Sequence, residues 1–154
     1  VLTVNGEIVE WFAIKFDTNL GRPLHTTVGT STCQQAAEAL AVLHGLRIWR
    51  AYWQTSRAVV GLRGDSISAL TLGTQLSTMA KSTNKIAREI ALEFSLAAFD
   101  PYWAEHIPGH SNELCDHISR LFGPQPKQSP PRLQGVSRHA DTHMDRRAPR
   151  TTSW

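Results

Sequence analysis

Three carboxylates in this chain stand where acids can do chemistry: Glu38, Asp65 and Asp116. Asp65 follows a short β-branched run, Ala58-Val59-Val60-Gly61-Leu62-Arg63-Gly64, at what should be the carboxyl end of a strand. Ligand sites in open α/β sheets lie beyond such ends. Asp116 falls in the first turns of a helix that follows a Pro-Gly break, and Glu38 sits beside the apolar stripe of another helix. Taken singly, each has a plain reading: a solvated helix-start Asp, a helix N-cap, a boundary residue. Taken together, they matter if their elements converge. Clustered carboxylates repel one another unless a cation neutralises them. Their hard oxygens suit Mg²⁺ or Mn²⁺. Two such ions close together activate a water and stabilise the leaving oxygen of a phosphodiester.

The elements that must position these acids are legible in outline. Val1–Val4, Asn5-Gly6 and Glu7–Phe16 read as a β-hairpin, because Asn-Gly supplies the two positive-φ positions of a tight turn. Asp17–Thr30 reads as a loop broken by Gly21-Arg22-Pro23 and Gly29. Ser31 with Gln34 forms a capping-box pattern, predicting a helix over 32–49 whose inner face carries Ala37, Leu40, Ala41, His44 and Ile48. Asp65-Ser66 opens a helix through Ile67, Ala69, Leu70 and Leu72. Ser82 or Thr83 caps a further helix with an inward stripe of Ile86, Ala87, Ile90, Ala91, Phe94 and Ala98; Lys85, Arg88, Glu89 and Glu93 are placed outward. Tyr102–Ile107 is the last strand. It leads through Pro108-Gly109 into a helix capped by Ser111 or Asn112, with Glu113 suiting the dipole and Leu114, Ile118 and Leu121 facing inward. This order predicts an α/β fold over 1–123.

Composition bounds the function classes. The length suffices for one sizeable core. No apolar run is long enough to span a membrane and no signal peptide is visible. Cys33 and Cys115 are isolated, which gives no disulfide framework and fits a reducing, intracellular compartment. After Pro124 six basic residues (Lys127, Arg132, Arg138, Arg146, Arg147, Arg150) face only Asp141 and Asp145, more than accounting for the net charge of +3. That segment, 124–154, is Pro-rich with almost no apolar periodicity, and reads as a disordered basic tail able to touch phosphates. A zinc site from His106, His110 and Cys115 is disfavoured, because Pro108-Gly109 keeps the two His off one helix face. There is no Gly-x-Ser-x-Gly elbow for a Ser-His-Asp hydrolase. Trp49 and Trp53 read as core or boundary residues in preference to base-stacking platforms.

Three motifs in order carry a resemblance over about 1–123. Glu38-Ala39-Leu40-Ala41 with Gly45-Leu46, then Arg63-Gly64-Asp65-Ser66, then Pro108-Gly109 through Asn112, Cys115-Asp116 and Ile118-Ser119-Arg120 resemble the type 1 ribonuclease H domain fused to retroelement reverse transcriptases. Cys115 stands where that family usually has Ala. The resemblance implies a ribonuclease H-like mixed sheet of five strands flanked by helices. It implies cleavage of the RNA strand of RNA–DNA hybrids by two Mg²⁺ (or Mn²⁺) ions, with a reverse transcriptase domain as neighbour in a parent polyprotein. By carry-over Glu38 and Asp65 bind one metal and Asp116 the other, and His110 is the nearest match to a mobile His that assists product release.

The chain departs from that pattern at its start. The family's first strand, with its Asp-Ala-Ser or Asp-Gly-Ser, has no counterpart here, and Glu7, Glu10 and Asp17 do not stand where its bridging Asp should. A sheet without its central strand leaves neighbouring backbone groups unpaired. Residues 1–154 alone are therefore expected to be poorly stable and catalytically impaired. The basic protrusion of some cellular members is also missing, with only Lys81 and Lys85 in its place. The competing reading is a non-catalytic remnant that at most binds nucleic acid.

Overall fold

Asn5 and Gly6 take φ of 51° and 88°, the two left-handed positions that fold β1 (Leu2–Val4) onto β2 (Glu7–Trp11) in an antiparallel hairpin. The computed structural model describes residues 1–21, 24–54, 57–75, 81–96, 99–123 and 125–139. Gly6 has open space around its Cβ position, so the cost of a side chain there is conformational alone. Gly6→Ala is expected to lower stability by about 1 kcal/mol, measured by urea denaturation; no loss would mean that the turn relaxes freely. β2 ends at Trp11, short of the expected Phe16. One helical turn, α1 (Thr18–Gly21), interrupts the following loop.

The principal helix, α2 (Ser31–Ile48), starts one residue earlier than the capping-box pattern placed it. Thr30 is the cap, its Oγ1 accepting from the Cys33 amide at 3.2 Å, so Ser31 is already helical. The buried face keeps Leu40 and His44 of the expected stripe and is otherwise displaced from it. It carries Cys33, Ala36, Ala39, Leu40, Leu43 and His44, while Ala41 is exposed. A 3₁₀ turn over Arg50–Tyr52 follows, and Trp49 and Trp53 are both buried, as core reading required. The Phe12 and Trp49 rings pack at 5.2 Å between centroids and 58° between planes.

β3 (Ala58–Gly64), α3 (Ile67–Gln75), α4 (Lys81–Leu96) and β4 (Phe99–His106) form a crossover, with β3 and β4 parallel. β3 occupies the expected span; β4 begins earlier than expected. α4 includes Ser82 and Thr83 in its body, so neither is its cap, and Ala98 lies outside the described residues. The larger core joins α2 (Leu40, Leu43, Leu46) to α4 (Ile86, Ala87, Ile90), with Ala58 and Val60 of β3 against it. Glu89 and Glu93 do not face outward. Both ion-pair with Arg47 of α2, Arg50 pairs with Glu93 as well, and Glu93 is buried.

The strands divide into two sheets. One has the order β1-β2-β5, where β5 (Ser137–Arg138) pairs parallel with β2; the other is β3-β4. Architecture is thus mixed α/β. Residues 113–119 form α5 (Glu113–Ser119), followed by a 3₁₀ turn over Arg120–Phe122. The expected disordered tail is corrected for residues 125–139: Leu133 is buried and Val136 partly so, in a second core with Trp11, Ala13 and Ile118. Two separated apolar side chains without helical or strand period suffice, because the sheet edge and α5 already form an apolar surface for them. Residues 140–154 lie outside the described residues.

Candidate active site at the carboxyl end of β3

The β3–β4 ladder ends in a cluster of polar contacts. Ile107 N–H donates to the Gly64 carbonyl at 3.0 Å, carrying the pairing one step past the strands. Asp65 follows at once and is exposed. Asn112, at the mouth of α5, donates from Nδ2 to Asp65 Oδ1 at 3.0 Å. Gly109 passes close by: a Cβ there would lie 3.8 Å from Asp65 Oδ2. The Pro-Gly break therefore lets the chain round the Asp65 carboxylate before α5 begins.

Ser66, expected only to open a helix, has two jobs. Its Oγ accepts from the Ala69 amide at 3.3 Å, which makes it the cap of α3 in place of Asp65. It also donates to Glu38 Oε2 at 2.6 Å, tying α2 to the end of β3. Gln34, one turn before Glu38, donates to its other oxygen at 3.2 Å. In these contacts Glu38 and Asp65 are therefore held by uncharged donors.

Asp116 is held differently. Its Oδ1 accepts from Arg120 Nε and Nη2 at 3.0 and 2.8 Å, an i,i+4 ion pair with both side chains around half exposed. Such an exposed pair contributes roughly 0.2–1 kcal/mol. The Asp116 amide donates to the Asn112 carbonyl at 3.0 Å, so Asp116 sits one turn above the residue that grips Asp65. His110 lies in the 3₁₀ turn Gly109–Ser111 and is exposed.

Sequence reading placed Glu38, Asp65 and Asp116 correctly by element but missed their partners. The sequence assigns Asn112 a capping role as an alternative to Ser111, has Ser66 open a helix beside Asp65, and gives Arg120 only as part of a motif ending. Nothing in local sequence signals a hydrogen bond across 47 residues, the separation between Asn112 and Asp65. The carboxylates are hard-oxygen donors of the kind Mg²⁺ or Mn²⁺ takes. In position they fall short: among the described residues no three His, Cys, Asp or Glu side chains stand close enough to hold a metal ion. Among those residues, too, no helix is long and apolar enough to cross a membrane. In comparisons with known proteins, no family model, no curated protein and no solved structure matches this chain.

Proposed function

We propose that residues 1–123 are the greater part of a ribonuclease H-like nuclease domain of the retroelement kind, acting on the RNA strand of an RNA–DNA hybrid beside a reverse transcriptase domain. The observation that carries the proposal is the joining of α2, the end of β3 and the start of α5 through Ser66→Glu38 and Asn112→Asp65. The three acids singled out by motif resemblance thereby belong to elements that meet at the carboxyl end of one strand, where α/β sheets place their ligands. The division of the strands supports it as well. β1 and β3 each lack a partner on one side among the described residues, and a strand between them would join β2, β1, the added strand, β3 and β4 in the five-stranded order the resemblance implies, with β5 as a sixth strand at the edge beside β2.

On this reading the family's first strand, with its bridging Asp, completes the site. Mg²⁺ or Mn²⁺, two ions in the complete family site, would supply the activated water and the charge to stabilise the leaving oxygen. Glu38, Asp65 and Asp116 are the candidate ligands. Ser66 and Asn112 orient two of them, and exposed His110 is the candidate for assisting product release.

The test is an in-frame fusion of a strand bearing Asp-Ala-Ser ahead of Val1, assayed for Mg²⁺-dependent cleavage of a hybrid. Cleavage is expected, falling about a hundredfold or more in Asp65→Asn, because metal-centred charge stabilisation is worth several kcal/mol. Hybrid binding without cleavage would favour the non-catalytic remnant. Strong cleavage by residues 1–154 alone would overturn the need for the added strand.

A further inference from the structure

Residues 125–139 do more than lie on the surface. We infer that this C-terminal segment is a clamp that positions α5, and with it Asn112 and Asp116, at the end of β3. α5 has seven residues, too few to hold itself, since isolated helices shorter than ~12–15 residues are marginal in water. Its one buried residue is Ile118. That side chain sits in the second core with Trp11 and Ala13 from the hairpin side and Leu133 from the segment; Leu114, Leu121 and Val136 pack around it. α5 is thus gripped between β2 and residues 133–136.

Three further residues, Lys127, Arg138 and His139, tie the segment to both sides of that grip. The Lys127 amide donates to the Arg120 carbonyl at 3.4 Å, in the turn that ends α5. The Arg138 guanidinium lies over the Trp11 ring at 5.0 Å and over the Phe122 ring at 5.9 Å, bridging β2 to that same turn. Beyond β5, the His139 amide donates to the Trp11 carbonyl at 2.9 Å, and His139 Nε2 meets Glu10 Oε2 at 2.5 Å, while Tyr52 donates to the other Glu10 oxygen at 3.2 Å. The far end of the segment is therefore anchored to β2, and its middle presses on α5. Loss of the press leaves the larger core untouched, because no residue of 125–139 belongs to it.

Amide hydrogen exchange on the full chain tests this. Leu133→Ala is expected to raise exchange of the 116–120 amides on the order of tenfold or more while α2 and α4 amides keep their protection. The Asn112 side-chain amide resonances should shift in the same variant, reporting release from Asp65. Leu133→Met, close in volume, should restore both, and Arg138→Gln should reproduce the effect in weaker form. Unchanged exchange in α5 would overturn the clamp. So would a uniform rise across α2, α4 and α5, which would make Leu133 an ordinary member of one cooperative core. The link to Asn112 and Asp116 as site residues rests on the nuclease reading, but the exchange measurement does not. A failed cleavage assay leaves the clamp standing, and unchanged exchange leaves the nuclease reading standing.

Discussion

Arg47→Met should cost this protein about 3–5 kcal/mol, the usual penalty for removing one partner from a buried ion pair. Arg47 Nε donates to Glu93 Oε1 at 2.8 Å and its Nη2 pairs with Glu89, with side-chain exposures of 9%, 7% and 12% for Arg47, Glu93 and Glu89. Arg50, which also pairs with Glu93, is 41% exposed and stays behind in the variant, so the loss should fall toward the lower end of that range. Urea denaturation at neutral pH measures it; a loss under about 1 kcal/mol would show that Glu89 and Glu93 swing out to water at little cost. The same cluster sets an acid limb. Burial pushes the Glu93 carboxyl up, but hydrogen bonds from Arg50 and Arg47 and their charges outweigh it and hold its pKa below the ordinary value. The folded pKa is depressed, so its contribution is present above the unfolded pKa and is lost as pH falls through the folded one. Wild type and Glu93→Gln should therefore differ most near neutrality, begin to converge as pH falls below the ordinary Glu value of about 4.3, and meet only once pH is under the depressed folded value.

That cluster also shows where sequence reading reaches and where it stops. The hairpin was legible because Asn5-Gly6 has one good conformational use, and β3 because its β-branched run is bounded by glycine. The inward stripe of α4 was legible from Ile86, Ala87 and Ile90. Glu93 was not: charge at helical spacing reads as a solvated face, and the cations that bury it, Arg47 and Arg50, stand 46 and 43 residues away. The same reason hid Asn112, whose amide leaves its own helix start for Asp65. Residues 125–139 are illegible in the sequence because a two-residue strand and a 3₁₀ turn over Pro131–Leu133 have no period, and Leu133 becomes an apolar anchor only once Trp11 and Ile118 are beside it. The acids of the candidate site were found from motif order. What orients each of them came only from contacts.

Leu43→Ala is the second large effect. Leu43 is fully buried in the core that joins α2 to α4, and nothing nearby can close the space completely, since Leu40, Ile86 and Ile90 are themselves packed to the same degree. The expected loss is about 2–5 kcal/mol, a large share of the roughly 5–15 kcal/mol that holds a domain together. Leu43 lies one helical turn before Arg47 on α2, so the two substitutions act on the same interhelical seam. A cavity at Leu43 lets α2 and α4 shift and admits water toward Glu89 and Glu93, which makes the carboxylates cheaper to leave unpaired. The double variant Leu43→Ala/Arg47→Met should therefore lose less than the two single losses added together, with a coupling of about 0.5–3 kcal/mol. Strict additivity in a denaturation cycle would mean that the apolar and ionic halves of the seam are independent.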